Sequence, residues 1–395
     1  MYIFHYIFWI SISIIFYNYI GYGLLLLILT GAKNIFINAK NLRLRDGELE
    51  DVTLVIAAYN EEAVIAEKIS NCLDLNYPPN KISFLFITDG STDKTAEIIS
   101  EYPQIQLLNS PERKGKTAAL NRAMEYVTTP ITVFCDANAM LNRSAILRIV
   151  SHYRSKETGG VAGEKRVMRR AASGSVGAGE GLYWKYESYL KRLDSELYTV
   201  AGAAGELFSI RTKLWVPLPE NVVLDDFLIS IRVNLKGYRV GYEPAAYALE
   251  LPSASLKEEK KRKIRISAGA FQIMSMKEIW KIRKHPILFF QFFSHRFLRW
   301  TLTPICLPLL LLANIPLAVT GSPFFRISLI GQIMFYVLAI SGSHVKTKTG
   351  KLKTFKILHY ILFMNYSVYL GFFRFMKGKQ SGVWEKAKRQ LASET

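Results

Sequence analysis

The chain has 395 residues, carries a formal net charge of +19 and is 50% hydrophobic. This length allows two or three domains, and the apolar fraction argues against both a purely soluble enzyme and a chain made only of membrane spans. The charge suits anionic lipid head groups or polyanionic substrates such as nucleotide diphosphates. No nucleic-acid partner is expected, because basic and aromatic residues do not interleave in any recognised module. The cysteines Cys72, Cys135 and Cys306 lie too far apart for a metal or disulfide motif, which suits a reducing cytosol.

The first predicted element is a membrane span within residues 1–32. Residues 2–30 are almost wholly apolar, and about 20 such residues cross a bilayer. The stretch has no basic leader or small-residue cleavage site, so we do not expect a removable signal peptide. Lysines and arginines follow it directly. The positive-inside rule therefore places the next segment in the cytosol, and we predict a multi-pass protein of the inner (plasma) membrane.

Between residues 50 and 255, apolar strand-like runs alternate with stretches of helical spacing. This alternation favours an α/β fold in which a mostly parallel sheet is covered on both faces. The predicted strands are Val52–Ala58, Ile82–Thr88, Ile105–Asn109 and Ile131–Cys135, and the predicted helices are Glu61–Leu73, one from Asp93, and Lys116–Tyr126. Ligands of such sheets bind at the carboxyl ends of the strands, so the residues that follow each strand are candidates for a site.

The last third of the chain returns to the membrane. Residues 256–300 combine a basic helical stretch with the aromatic segment Pro286–Trp300, which we expect to lie at the membrane interface. Apolar runs at 301–320, 323–342 and 357–376 are predicted spans, and 377–395 form a basic tail. Four spans would place that tail outside, although its lysines and arginines favour the inside. We predict four spans, with 357–376 the weakest because polar residues dilute it.

Three acidic segments follow predicted strands or open helices. Asp89 begins the segment Asp-Gly-Ser-Thr-Asp, in which Ser91 or Thr92 can cap a helix without it. Asp136 and Asn138 stand two residues apart on a turn and can offer oxygens to Mg²⁺ or Mn²⁺, or form only an Asx-turn. The third segment is the pair Asp225 and Asp226. One acid is enough to cap a helix, so the second is a candidate general base for an acceptor hydroxyl.

Three further segments are weaker candidates. Most of Lys257–Lys263 is expected to be a solvated or lipid-facing charged surface, whereas Arg265 stands between two isoleucines and is harder to explain as surface. Gly115-Lys116-Thr117 resembles the end of a phosphate-binding loop, but position 110 is Ser110 where that motif requires glycine. The glycines between 177 and 181 lack the context of a dinucleotide fingerprint, so a flexible loop is expected there.

Taken in order, these segments over about residues 50–300 resemble the processive, membrane-bound family-2 glycosyltransferases, the group of cellulose, chitin, hyaluronan and poly-N-acetylglucosamine synthases. The resemblance implies a GT-A-like fold that binds a nucleotide-sugar, and it assigns roles by position. The implied nucleotide-binding residues are Ala57, Tyr59, Glu61, Asp89, Lys116 and Asp136; the metal pair is Asp136 and Asn138; the acceptor segment includes Gly205 and Glu206; and the catalytic residues are Asp225, Asp226 and Arg265.

Two positions depart from the pattern of that family. Asn138 replaces the second carboxylate of the metal pair, so its amide oxygen would bind a cation with less charge. Ile266 stands where processive members carry tryptophan in a Q-x-x-R-W motif, of which only Arg265 remains. Isoleucine cannot stack on an acceptor sugar as tryptophan does. This second departure puts processivity in question.

The resemblance implies an inverting transfer from a nucleotide-diphosphate sugar, expected to be a UDP-sugar, to a growing β-linked polysaccharide. Glycan or lipid-linked acceptors and membrane lipids are the expected partners. An alternative is a non-processive enzyme that adds one sugar to a lipid or lipid-linked acceptor, which the loss of the motif favours. A non-catalytic membrane scaffold is a third possibility, against which the retained acids at 89, 136 and 226 argue.

Overall fold

The computed structural model describes residues 1–36, 49–168, 175–253, 255–342 and 353–378. One sheet of eight strands organises the central domain, with the spatial order β3-β2-β1-β4-β7-β6-β8-β5. The strands are β1 (Val52–Ala58), β2 (Ile82–Thr88), β3 (Ile105–Leu108), β4 (Ile131–Asp136), β5 (Met140–Leu141), β6 (Thr158–Val167), β7 (Leu207–Arg211) and β8 (Arg239–Glu250). The first four pair in parallel, and β7 runs antiparallel to both of its neighbours.

The parallel half of the sheet follows from the sequence almost residue by residue. Strand β1 is buried along its whole length, so its run of apolar residues has core on both faces. The predicted limits of β1 and β2 are confirmed, and β3 and β4 differ from prediction by one residue. Asp136 is therefore the last residue of β4 rather than the first residue after it. The mostly parallel α/β sheet was thus correctly predicted.

Helices cover both faces of this sheet. They are α3 (Ile65–Leu73), α4 (Thr95–Ser100), α5 (Lys116–Met124), α6 (Ala145–Ser151), α7 (Ser175–Leu197) and α8 (Asp225–Leu235). The loop expected at 177–181 is wrong, because these glycines lie in the first turns of α7. The capping of α4 also differs from expectation, since the Asp93 carboxylate accepts a hydrogen bond from the backbone N–H of Thr95, 3.0 Å away.

Three helices among the described residues are long and apolar enough to cross a membrane. The first runs over Tyr2–Lys33, and the others are Leu302–Thr320 and Pro323–Ser341. The N-terminal helix consists of α1 (Tyr2–Phe16) and α2 (Tyr22–Phe36), joined by a π-helical turn at Tyr17–Gly21. Membrane association was therefore correctly predicted, while a fourth span remains a prediction.

The remaining helices connect the sheet domain to the membrane segments. They are α9 (Leu256–Ser275), α10 (Pro286–Phe292), α11 (Leu298–Trp300), α12 (Leu302–Thr320), α13 (Pro323–Ser341) and α14 (Lys353–Met376). Helix α14 lies along α9 at Gly371, where an added Cβ would stand 2.5 Å from the Cβ of Ser267. Only glycine permits this approach of the two backbones.

The basic stretch on α9 is only partly the charged surface that the sequence predicts: Lys257 and Lys261 are exposed, but two of its charged residues are buried. Glu259 is fully buried and Lys263 is 4% exposed. The Glu259 carboxylate forms ion pairs with Arg262, whose Nε lies 3.1 Å away, and with Lys263, whose Nζ lies 3.6 Å away. Residues three and four positions along a helix lie on the same face, so both cations can reach this carboxylate. Glu259 and Lys263 therefore face inward, whereas Lys257 and Lys261 stay on the surface.

Candidate functional site

A cavity of about 870 Å³ opens at the carboxyl ends of the parallel strands and continues between the helices that lead to the membrane. Its walls come from the sheet domain and from α7, α9, α11 and α14. Nine of the sequence-predicted site residues line it: Glu61, Lys116, Asp136, Asn138, Gly205, Glu206, Asp225, Asp226 and Arg265. Ala57, Tyr59 and Asp89 are not among the lining residues. A single space thus brings most of the predicted nucleotide, metal and acceptor residues together.

Lys116 is the charge at the centre of the cavity floor. It is the first residue of α5, and its Nζ lies 2.8 Å from Asp136 Oδ1 and 3.5 Å from Asp225 Oδ2. Burial acts to lower the pKa of this ammonium group, but the surrounding carboxylates outweigh burial and raise the pKa. Lys116 therefore stays protonated and neutralises part of the acidic charge contributed by β4 and α8.

Asp226 lies in the first turn of α8, as the sequence predicts. Its Oδ1 accepts a hydrogen bond from the backbone N–H of Phe227 at 2.8 Å. Burial, followed by the neighbouring charge of Asp225, raises the pKa of Asp226 to about 7. A carboxyl group with such a pKa can take up a proton near neutral pH, which is the property required of a general base.

Gly205 leaves the space in front of this carboxylate open. An added Cβ at this position would stand 3.5 Å from Asp226 Oδ2 and 3.4 Å from Lys116 Nζ. The segment before β7 therefore passes directly beside both charged groups without a side chain between them. A larger residue at position 205 would place its side chain against the Asp226 carboxylate and Lys116 Nζ.

Asp89 holds a loop rather than lining the cavity. Its two carboxylate oxygens accept hydrogen bonds from the backbone N–H groups of Lys114, at 3.2 Å, and Gly115, at 2.6 Å. These bonds fix the residues immediately before Lys116. Arg113 of the same loop stacks over the ring of Tyr59, 3.9 Å from its centroid. Asp89 and Tyr59 thus position the loop that delivers Lys116 into the site.

The side-chain oxygens of Asp136 and Asn138, at and just after the end of β4, suit a divalent cation whose remaining ligands come from the substrate. Asp136 and Asn138 both line the cavity, and only Oδ1 of Asp136 is taken by Lys116 in a hydrogen bond. Among the described residues, no group of three or more His, Cys, Asp or Glu side chains is placed to hold a metal ion. Mg²⁺ commonly binds through one or two protein oxygens together with substrate phosphates, and this pair of oxygens matches that mode.

Glu206 belongs to a buried ionic network that sequence analysis did not anticipate. Its carboxylate pairs with Lys165 of β6, which also pairs with Glu250 at the end of β8. Arg262 of α9 approaches Glu250 at 3.9 Å. The sequence signal for it was the charged triplet Glu164-Lys165-Arg166, which follows the apolar and small residues of β6. The network ties the acceptor segment to the helix that carries Arg265.

Two tryptophans line the cavity where Ile266 offers no aromatic surface. Trp184 lies on α7, with Lys165 Nζ 5.1 Å from its ring centroid. Trp300 ends α11 and packs against Phe227 with 5.4 Å between ring centroids. Ile266 also lines the cavity. The sequence offers both tryptophans as alternative stacking surfaces: Trp184 lies between Asn138 and Gly205 in sequence, Trp300 follows Arg265, and the fold brings both to the cavity.

Comparison with known proteins gives a consistent result. The model described as Glycosyl transferase family 2 matches residues 53–214. The chain is 27% identical over 239 residues to the poly-beta-1,6-N-acetyl-D-glucosamine synthase of Staphylococcus aureus (strain COL), a match that covers 58% of this chain and 56% of that protein. It is 23% identical over 274 residues to the protein of the same name from Staphylococcus epidermidis, covering 66% and 64%. The matches thus span little more than half of the Staphylococcus aureus protein.

A solved structure matches nearly the whole chain. It is the mannosyltransferase PcManGT from Pyrobaculum calidifontis in complex with GDP-Man and Mn²⁺, with a TM-score of 0.68 and 22% sequence identity, covering 94% of this chain and 99% of that one. At this identity the likeness establishes the fold alone. The predicted nucleotide-sugar-binding fold flanked by membrane helices is confirmed.

Proposed function

Since residues 53–214 form a family 2 glycosyltransferase domain, we propose that this glycosyltransferase moves a sugar from a nucleotide-diphosphate sugar to a growing β-linked polysaccharide at the membrane. The proposed donor is a UDP-sugar, and the transfer inverts the configuration at the sugar C1. The relatives named as poly-beta-1,6-N-acetyl-D-glucosamine synthases support N-acetylglucosamine as the first sugar to test.

The observation that carries this proposal is the shared cavity. Asp136 and Lys116, the proposed donor side, and Asp226, the proposed base, line the same space. That space continues to Trp300 and to α14, which packs beside α13. A cytosolic donor and a membrane-proximal acceptor therefore have routes to the same reacting centre.

In the proposed mechanism, Asp226 accepts the proton of the acceptor hydroxyl as its oxygen attacks C1 of the donor sugar. The bond between C1 and the β-phosphate oxygen breaks, and the nucleotide diphosphate leaves. Lys116 and Arg265 both line the cavity, and as fixed cations they would stabilise the negative charge that develops on the departing phosphates. Gly205 gives the acceptor its approach to Asp226.

Asp136 and Asn138 are the proposed holders of Mg²⁺ or Mn²⁺. A divalent cation bound there would neutralise charge on the diphosphate leaving group. Lys116 orients Asp136 through its 2.8 Å contact with Oδ1, leaving Oδ2 without this pairing. Asn138 supplies an amide oxygen without charge, so the proposed site relies on the donor phosphates for part of its affinity.

The second candidate is the addition of a single sugar to a lipid-linked acceptor. Ile266 in place of the stacking tryptophan favours it. The cavity wall formed by α14 favours it too, because that wall carries apolar side chains: Ile357, Ile361, Met364 and Val368. These side chains would accommodate a hydrocarbon chain beside the acceptor.

Product sizing separates the two candidates. Purified protein or membranes are incubated with radiolabelled UDP-N-acetylglucosamine, and with other UDP- and GDP-sugars in parallel, and the products are resolved by length. A ladder that extends under excess donor supports the polysaccharide synthase. A product that stops at one added sugar supports the alternative. Absence of transfer from every donor would overturn the proposed function.

We further propose an inner-membrane, multi-pass location with a cytosolic domain of residues 50–255, flanked by the segments 1–32, 256–300, 301–376 and 377–395. The prediction of four spans with an outside tail stands, and the packing of α14 along α9 suits the alternative in which the final run does not cross and the tail lies inside. Ser322→Cys and Lys377→Cys, both at exposed positions, test this with an impermeant thiol reagent. The native cysteines are buried. Labelling of both positions in intact cells would show that α14 crosses.

A further inference from the structure

Lys191 of α7 is a buried cation that faces the cavity. Its residue is 4% exposed, and it is one of the lining side chains. Among the residues that the structure describes, Lys191 makes no hydrogen bond and has no carboxylate within 4.0 Å. The pKa of Lys191 is lowered, mainly by burial and also by the charge of Arg296, although the charges of Glu187, Glu206 and Asp226 act to raise it. Burying an ammonium group without a nearby counter-charge costs free energy, and a bound anion would reduce that cost.

Two arginines stand on the same side of the cavity as Lys191. Arg296 Nη1 lies 2.6 Å from Glu187 Oε1, and Arg299 Nη1 lies 2.9 Å from Glu187 Oε2. Both arginines and Glu187 line the cavity. The two arginines share Glu187, and Lys191 stands without a carboxylate of the described residues within 4.0 Å, so the formal positive charge of these three side chains exceeds the single negative charge of Glu187.

Buried contacts behind this wall fix it in place. Asp194 Oδ2 lies 2.7 Å from His295 Nδ1, and Asp194 Oδ1 accepts a hydrogen bond from the Tyr22 hydroxyl of the N-terminal helix at 2.5 Å. His295 Nε2 in turn lies 3.3 Å from Glu187 Oε2. Within the segment Pro286–Trp300, predicted to lie at the membrane interface, the side chains of His295, Arg296 and Arg299 pair with carboxylates of α7. A rigid, desolvated arrangement of this kind is suited to binding an anion.

We propose that Lys191, Arg296 and Arg299 bind the phosphate of a lipid-linked acceptor. The inference rests on the proposed glycosyl transfer and favours the second candidate, in which the acceptor is lipid-linked. Lys191 is within electrostatic range of Asp226, so a sugar next to the phosphate would present its hydroxyl to the base. The apolar wall of α14 and the side chain of Tyr19 lie on the membrane side of the same cavity, where the hydrocarbon chain would run.

Direct binding tests this assignment without requiring turnover. A short-chain polyprenyl phosphate is titrated into the full-length protein in detergent, and binding is followed by native mass spectrometry. The matching polyprenol, phosphatidylglycerol and UDP are titrated in parallel. Lys191→Met is compared with Lys185→Met, a matched change at an exposed position of the same helix.

We expect the polyprenyl phosphate to bind and the polyprenol to bind at least about tenfold more weakly, because a hydrogen bond to a charged group is lost. Lys191→Met should lose about tenfold in affinity for the phosphate and keep its affinity for UDP, while Lys185→Met and Lys191→Arg retain both. Equal binding of phosphate and polyprenol would overturn the assignment. A loss of UDP affinity in Lys191→Met would also overturn it, because Lys191 would then belong to the donor site. Equal binding of phosphatidylglycerol would overturn it as well, because the site would then bind lipids in general. If the protein transfers sugar to a neutral oligosaccharide in any of these cases, the phosphate site is rejected and the proposed function still holds.

Discussion

Lys116 Nζ lies 2.8 Å from Asp136 Oδ1 and so joins the start of α5 to the end of β4. Lys116→Met should lower the melting temperature in detergent by several degrees, because it leaves partly buried carboxylates without their counter-charge, a loss of about 1–3 kcal/mol. Lys116→Met combined with Asp136→Asn should be less destabilised than the sum of the single changes. Additive losses would show that the two side chains are not coupled.

Metal dependence follows from the oxygens of Asp136 and Asn138 at the cavity wall. Transfer should disappear in EDTA and return with Mg²⁺ or Mn²⁺, since the donor phosphates need a cation to complete the site. Asp136→Ala should weaken binding of the nucleotide diphosphate when metal is present and have little effect when it is absent. Calorimetric titration with and without metal measures both. Full activity in chelator would show that arginines and lysines alone hold the diphosphate.

The pKa of Asp226, raised to about 7 by burial and by Asp225, sets the acid limb of the pH profile. The base must be deprotonated, so kcat/KM should fall as pH drops through 7, approaching a tenfold decrease per pH unit below it. Asp225→Asn removes a negative neighbour and should move this limb to lower pH. A kcat/KM that is flat between pH 5.5 and 8 in the unmodified enzyme would contradict the assignment.

The contact of Gly371 with α9 should be needed for both stability and activity. Gly371→Ala places a Cβ 2.5 Å from that of Ser267 and 3.0 Å from the carbonyl oxygen of Ile264. The forced separation should cost about 1–3 kcal/mol and displace the turn of α9 that carries Arg265. Gly331→Ala in α13 is the control, because no atom lies within 4 Å of its added Cβ. The melting temperature and the transfer rate are measured on both variants. Equal effects of the two substitutions would show that the contact between Gly371 and α9 is not needed for stability or activity.

Local sequence was sufficient for the parallel strands and for the residues at their ends. Asp136 and Asp226 were identified because strand ends and helix starts are local features that a short window contains. Lys191 could not be identified in this way, since its significance lies in the absence of a partner, which only packing reveals. The same limit explains Glu259, whose burial depends on α14 lying over α9. A run of charges in the sequence does not state which side of a helix is covered.

Asp226→Asn tests the central claim most directly. The variant keeps the shape of the side chain but cannot accept a proton, so the initial rate of sugar transfer should fall by at least about 10². Binding of UDP, measured on the same preparation by calorimetry, should change little, because Asp226 is the proposed base for the acceptor and not one of the proposed nucleotide-binding residues. A variant that transfers sugar at the unmodified rate would contradict the account and remove Asp226 from the mechanism.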